Sequence, residues 1–472
     1  MSPLRTAAAP AATLTLTAPT APREGERLSF RWSTDAPDPK NWIGIYDGDR
    51  RPGTGSSLVW SYVTTATGDL TLDGAALGEG VYTAYLLAKD GYGILAKTAP
   101  FTVAARPPVV RPYAVTDAFA TGEYAPGERI SVALAPLWIR PAGNPSGTPS
   151  FRRVSGDSWL NVGSDGTVTG TAPAHPGTHP GRVTVAVKDS AGGSDTVTVR
   201  VPVRRAGAGP RLAVASLNLW DAGAHIDGVQ EKVLRLVLGA RLDAVALQEA
   251  AGFPVEALAR ALGWHAWAAP AGTALLSRFP LEDTAAPVAD TAALAATLRL
   301  PGGRKVRVWA AQLDEAGYGP YALRDGRSPA EVETAEAKSV RYRQTTALLA
   351  AMKQDLANRR TPVVLAAGLA SPSHLDRAAR PRWPVTVALA AAGLRDAHHE
   401  ANPRQAREAA ATWSPVRPDE PQDRIDQVQY AGPLRVESAY TLRTGWPRPV
   451  PDTAANGWPS DHAAPAVTFT LH

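Results

Sequence analysis

The sequence predicts a multidomain chain, two all-β sandwich modules followed by a layered α/β domain. Three observations predict it. Up to about residue 205, apolar and polar residues alternate, and glycine, proline and aspartate punctuate the runs. After Pro210 the pattern changes, and short apolar runs alternate with segments of helical spacing. Proline-rich seams part the blocks, the clearest being "AARPPVVRP" at 104–112. A chain of 472 residues has ample length for several cores.

The first block spans 13–104, behind an N-terminal tail of residues 1–12. Leu28-Ser29-Phe30-Arg31-Trp32, Trp42-Ile43-Gly44-Ile45-Tyr46 and Val81-Tyr82-Thr83-Ala84-Tyr85-Leu86 read as short strands. "NWIGIYDGD" and "YTAYLLAKDGYGILA" resemble the β-sandwich module that precedes the catalytic domain of some secreted phosphatases. The second block spans 112–205. There "FRRVSGDSWLNVGSDGTVTGTAP" and "GRVTVAVKDSAGGSDTVTVRVPV" alternate throughout, with hairpin turns at Asp165-Gly166 and Gly192-Gly193. This block resembles the bacterial immunoglobulin-like, cadherin-type modules of exported proteins. Neither block shows a ligand constellation. Aromatics such as Trp60 and Tyr92 are expected in the core, where large rings of β sandwiches mostly pack.

The third block, 211–472, opens with the strand "RLAVASLNLW". The helix "GVQEKVLRLVLGA" comes next, with Val229, Val233, Leu236 and Val237 on one face. "LDAVALQEA" is a buried strand, and "PVEALARALG" a helix closed by Gly263. "AEVETAEAKSVRYRQTTALLAAMKQDLA" predicts one long amphipathic helix, and "TPVVLAAGLA" the strand after it. A last strand runs from Ala466 to Leu471.

Composition bounds the function classes. Hydrophobic residues at 44% and charged ones at 20% describe a globular protein. A net charge of +5, spread along the chain, fits a phosphate-bearing ligand without demanding one, and solubility alone explains it better. No basic run with interleaved aromatics marks a nucleic-acid face. With no cysteine there are no disulfides, thiolate metal sites or thiol nucleophiles. No apolar run is long enough to span a membrane. The start has no apolar signal core, so either the protein is cytoplasmic or the signal lies outside this sequence.

Chemistry gathers at strand ends of the third block. "SLNLW" delivers Asn218, "ALQEA" delivers Glu249, "QDRIDQV" delivers Asp426, and "NGWPSDHAA" sets Asp461 beside His462. These acids and the amide make an oxygen-rich pocket suited to Mg²⁺ or Mn²⁺ rather than zinc. Taken singly each is weak, since a lone strand asparagine or a Ser-Asp-His turn is more often structural. Their order and spacing carry the signal.

That order resembles the endonuclease/exonuclease/phosphatase superfamily, metal-dependent phosphoester hydrolases with a four-layered α/β/β/α sandwich. The matching text is "SLNLW", "LQE", "LLSRFPL", "YGPY", "SPSHLD", "DRID" and "WPSDH". The resemblance implies metal roles for Glu249, Asp461 and Asn218, and a phosphate contact for His462 with Asp426 as its carboxylate partner. It implies in-line attack by an activated water on a phosphorylated substrate.

One stretch departs from the pattern. After Leu365 the family carries glycine-aspartate-any-asparagine, and here the four positions read Ala367, Gly368, Leu369 and Ala370. The acid that activates water and the amide that aligns it are therefore both missing. Gln312 stands where the family has histidine, and Gln427 comes after Asp426 where an aromatic is common. An eroded site is expected, with weak divalent-metal binding and weak or lost hydrolysis of phosphodiesters or phosphomonoesters. The alternative is a pseudoenzyme that binds a phosphorylated ligand, with the β modules open to surface partners. Asp314, Glu315, His374 and Asp376 are the nearby groups available to replace the lost base. The modules suggest an extracellular or cell-surface setting.

Overall fold

The computed structural model describes residues 12–48, 50–74, 76–105, 112–140, 147–285, 287–376, 381–404, 410–444 and 457–471. Most of the 104–112 seam and all but the end of the N-terminal tail lie outside them. The chain divides into two compact units, 1–109 and 110–472. Among the described residues, no helix is long and apolar enough to cross a membrane.

In the first unit, Thr13–Ala18, Leu28–Ser33 and Thr67–Leu72 form a three-stranded sheet. A second sheet orders Val59–Tyr62, Trp42–Asp47, Gly80–Ala88 and Gly93–Lys97, with Phe101–Val103 also paired to Gly80–Ala88. Alternation decides what each strand buries. Leu28, Phe30 and Trp32 of one sheet meet Ile43, Ile45 and Leu86 of the other in the core.

The second unit opens with β structure. Ala118–Ala120, Ser194–Val201, Gly181–Asp189 and Pro149–Gly156 make one sheet, and Arg129–Ala133, Thr167–Thr171 and Leu160–Val162 another. Gly166 (φ 85°) and Gly192 (φ 92°) turn the two expected hairpins through backbone that favours glycine. This β core runs on into the α/β part of the unit: Phe119, Ile130 and Val199 share a cluster with Val233, Leu236 and Leu258. Tyr113 also donates its hydroxyl hydrogen to Glu231 at 2.7 Å.

The α/β part is built on two six-stranded sheets. One orders His265–Ala268, Ala274–Ser277, Ala244–Gln248, Arg211–Asn218, Ala464–Leu471 and Leu434–Leu442. The other orders Leu281–Ala285, Ala292–Arg299, Lys305–Gln312, Val363–Gly368, Asp426–Ala431 and Arg395–Asp396. Leu212, Val214 and Phe469 of the first sheet pack with Leu294, Val308 and Val364 of the second. Helices Val229–Gly239 and Val255–Leu262 bury Val233 and Leu258 with the first sheet's other face. Helices Val340–Ala357 and Pro384–Ala391 bury Leu348, Met352 and Leu389 against Trp309 and Leu365 of the second.

The long helix expected across 330–357 is in fact two, Pro329–Glu336 and Val340–Ala357. Ser339 breaks it by turning extended (φ −66°, ψ 160°) and accepting from the Tyr342 N–H as a cap. Arg341, just beyond, is fully buried against Glu336 at 3.0 Å and donates to the Asp314, Ala316 and Gly317 carbonyls. That anchor fixes the loop leaving Gln312.

Candidate functional site

Strand register brings the distant residues to one end of the sheets. Asn218 lies opposite Gln248, one residue before Glu249, where Arg211–Asn218 and Ala244–Gln248 end together. In the facing sheet Gln312 lies opposite Gly368, and Gly368 opposite Asp426. Ala464–Leu471 runs antiparallel to Arg211–Asn218, so the turn bearing Asp461 and His462 arrives at the same end. Asn218, Gln312, Gly368, Asp426 and His462 line one cavity of ≈ 330 Å³, walled by Tyr318, Tyr321 and Trp413.

His462 and Asp426 form a buried pair. Imidazole Nδ1 lies 2.8 Å from Asp426 Oδ2. Burial opposes the imidazolium, but the charge and hydrogen bond of Asp426, with Asp461 and Glu249 behind it, push His462 up to about 9. The ring is therefore a cation at neutral pH. The Trp413 ring lies against it, centroids 4.8 Å apart. Asp426 Oδ1 is buried with no hydrogen-bond partner among the described residues, and a Cβ on Gly368 would stand 3.3 Å from it. Gly368 and Ala370 line the cavity without a polar side-chain atom to offer.

Glu249 is held tightly. Its Oε1 accepts from Asn218 Nδ2 at 2.8 Å and Gln312 Nε2 at 3.1 Å, and its Oε2 accepts from the Asp221 N–H at 2.7 Å. The Asp221 N–H is aimed by a left-handed turn, with Trp220, Asp221 and Ala222 all at positive φ. Glu249 itself has φ 53°. Such backbone costs about 1–2 kcal/mol per L-residue and concentrates at functional sites. Asn218 Oδ1 is taken by the Trp220 N–H at 2.7 Å.

Asp461 is close enough to interact electrostatically with Glu249. Burial raises its carboxyl above the ordinary value; His462 and Arg417 oppose the rise, and Glu249 adds to it. Arg417 Nη2 stands 3.6 Å from Asp461 Oδ2, and its guanidinium lies over Trp413.

The donor set is a poor fit to a hard divalent cation. A carboxylate has about four acceptor positions, and three of Glu249's are filled by N–H donors. Asn218 shows Glu249 its N–H and spends its oxygen on the backbone. Asp461 is left as the open acid, short of the near-octahedral oxygen shell that Mg²⁺ demands. Among the described residues, no three acidic or histidine side chains are grouped to hold a metal.

The substitute bases divide. Glu315 lines the cavity, whereas Asp376 and His374 face elsewhere. Both Asp376 oxygens are held by Arg424, Oδ2 by Nε at 3.1 Å and Oδ1 by Nη2 at 2.7 Å. Nδ1 of His374 lies 3.0 Å from Thr386 Oγ1, and burial lowers its pKa. Sequence reasoning missed Trp413 and Arg417, because their segment carries no motif and the fold alone brings Trp413 to His462; the match at "YGPY" assigns no role to Tyr321, which lines the same cavity.

No family model matches the chain. It is 28% identical over 302 residues to the uncharacterized protein F14F9.5 of Caenorhabditis elegans, an alignment covering 55% of this chain and 91% of that one. Among solved structures it is similar to an endonuclease/exonuclease/phosphatase from Beutenbergia cavernae, with 18% identity and a TM-score of 0.39 over 55% of this chain and 72% of that one. A mannosyl-6-phosphatase from Bacteroides thetaiotaomicron gives 15% identity and a TM-score of 0.41, over 55% of this chain and all of the other.

Proposed function

We propose that residues 211–472 are an endonuclease/exonuclease/phosphatase domain with an eroded site, preceded by β modules at 13–104 and 112–205. On this reading the pocket binds a phosphorylated ligand and hydrolyses it weakly or not at all. The observation that carries it is the His462–Asp426 pair at 2.8 Å. An imidazole held cationic up to about pH 9 is a donor to an anion and not a base for water. Arg417, half exposed at the rim, supplies a second positive charge. Tyr318, Tyr321 and Trp413 offer ring faces to whatever the phosphate is attached to.

Hydrolysis needs a group to take a proton from water and another to align it; on this reading those cavity positions are Gly368 and Ala370. With Glu249 occupied by amides, a metal-held hydroxide has no ready seat either.

Calorimetric titration of the full chain with p-nitrophenyl phosphate, alongside release of p-nitrophenol with and without Mg²⁺ or Mn²⁺, tests both halves. Binding is expected to weaken about tenfold or more in His462→Ala and Arg417→Ala, as for loss of a charge-assisted hydrogen bond. Fast turnover of this ester or of bis-p-nitrophenyl phosphate, abolished by Glu249→Ala and His462→Ala, would overturn the eroded-site reading.

A further inference from the structure

The first unit carries a second, chemically different pocket. The sheet Val59–Tyr62, Trp42–Asp47, Gly80–Ala88 and Gly93–Lys97 buries Ile43, Ile45 and Leu86 on its core face. The other face of an antiparallel sheet is ordinarily polar. Here it holds Trp42, Tyr46, Tyr85 and Leu87 as a separate buried cluster. Trp60, Tyr62 and Tyr92 stand around it, 52%, 47% and 56% exposed. Trp42, Tyr46, Trp60, Tyr62 and Tyr92 together bound a cavity of ≈ 420 Å³, open to solvent and of ligand-binding size.

The cavity is built rather than incidental. Gly44 is required beneath it, since a Cβ there would come within 2.6 Å of the Trp42 indole. Trp42 forms the floor, and Trp60 and Tyr92 meet it edge to face at 76° and 72°. Tyr62 meets Trp60 at 85°. The loop carrying Tyr92 is pinned by Trp42 Nε1 donating to the Gly91 carbonyl at 3.2 Å. Tyr62 pins it again, its hydroxyl donating to Asp90 Oδ1 at 2.7 Å. Inside, the Tyr46 hydroxyl is buried beside the Ser57 side chain.

Charge decides the ligand class. Among the described residues, Asp90 is the one charged group in the lining, and Lys40 Nζ neutralises it at 2.8 Å. An organic cation therefore meets aromatic walls without a free anion, and an anion meets a lining without a cation. We propose that this pocket binds a neutral carbohydrate. The C–H faces of a sugar ring lie against Trp60 and Tyr92, and its hydroxyls meet Tyr46, Ser57 and Asp90.

Affinity electrophoresis of the full chain in gels holding neutral polysaccharides (a glucan, a mannan, a xylan and a galactan) tests this. Calorimetry with the matching oligosaccharides gives the affinities. Retardation by at least one polysaccharide is expected, with affinity falling about tenfold in Trp60→Ala and in Tyr92→Ala. Both rings are half exposed, so both variants should fold, and circular dichroism checks that they do. Trp60→Phe should keep part of the affinity. Absence of retardation by the whole panel would overturn the proposal. So would tighter binding of tetramethylammonium that is lost in Asp90→Asn, or sugar binding unchanged in both alanine variants.

Discussion

Gln312 grips Glu249 at two points: its Nε2 donates to Oε1 at 3.1 Å, and its Oε1 accepts from the Glu249 N–H at 3.1 Å. The amide thus ties a strained residue, at φ 53°, to the facing sheet and fills an acceptor position that a cation would use. Gln312→Ala removes both bonds and leaves a half-buried N–H unmatched. A loss of about 1–3 kcal/mol is expected, read as a lower melting temperature. Freeing Oε1 should also tighten Mn²⁺ binding, measured by enhancement of water-proton relaxation. A variant with unchanged melting would show that the grip is incidental.

The His462–Asp426 pair sets a pH window. The imidazole rises from an ordinary 6.5 to about 9 on folding. Its contribution to stability is therefore complete below about pH 6.5 and is lost as pH climbs through 9. Phosphate-ester binding should fade over the same upper limb. Asp426→Asn removes the leading charge and should bring the His462 titration down, tracked by NMR of labelled histidine. An imidazole titrating near 6.5 in the unaltered chain would contradict the pairing.

Much of this site could be read from the chain because strand ends are encoded locally. The apolar runs before Asn218, Glu249 and Gly368 give the strands, and the residue closing each run must emerge at the strand's end. The pocket walls were hidden for the opposite reason. Trp413 and Arg417 sit in "WSPVR", which has no periodicity, and only the returning chain brings Trp413 against His462. Trp60 and Tyr92 were expected inside because alternation shows two faces of a strand without saying which is outward. In "WIGIY" both faces are apolar, so burial of Ile43 and Ile45 pushed the aromatic face out. The break at Ser339 was obscured by strong helix formers on either side of it.

Arg424 offers a prediction about architecture. It is fully buried and paired in bidentate fashion to both Asp376 and Asp396, the latter through contacts of 3.0 and 2.6 Å. Asp396 also caps the helix Ala397–Ala401 by accepting from the His398 and His399 N–H groups. Breaking a buried network at one member typically costs about 3–5 kcal/mol. Arg424→Met should cost that much in urea unfolding, and Arg424→Lys should not rescue it, because one ammonium cannot serve two bidentate partners. Asp376→Asn should lower stability and leave any residual hydrolysis unchanged. An activity loss at constant stability would return Asp376 to the list of bases.

Restoring the missing pair tests the erosion itself. Ala370 has φ 47°, a conformation that asparagine enters more readily than alanine. Ala370→Asn should therefore be neutral or stabilising by a few tenths of a kcal/mol or more. Gly368 has ordinary backbone, but a Cβ there stands 3.3 Å from the unpaired Oδ1 of Asp426. Gly368→Asp thus sets a second carboxylate beside the first, and the two repel. Alone it should lower the melting temperature and add little activity, since the water is unaligned. With Ala370→Asn, hydrolysis of bis-p-nitrophenyl phosphate should rise by about 10²-fold or more over the unaltered chain. Colorimetric rates across pH 6 to 9 distinguish the outcomes. If the double variant folds, binds the ester and still turns nothing over, the loss extends beyond these two positions, and the amide-filled shell of Glu249 becomes the next defect to repair.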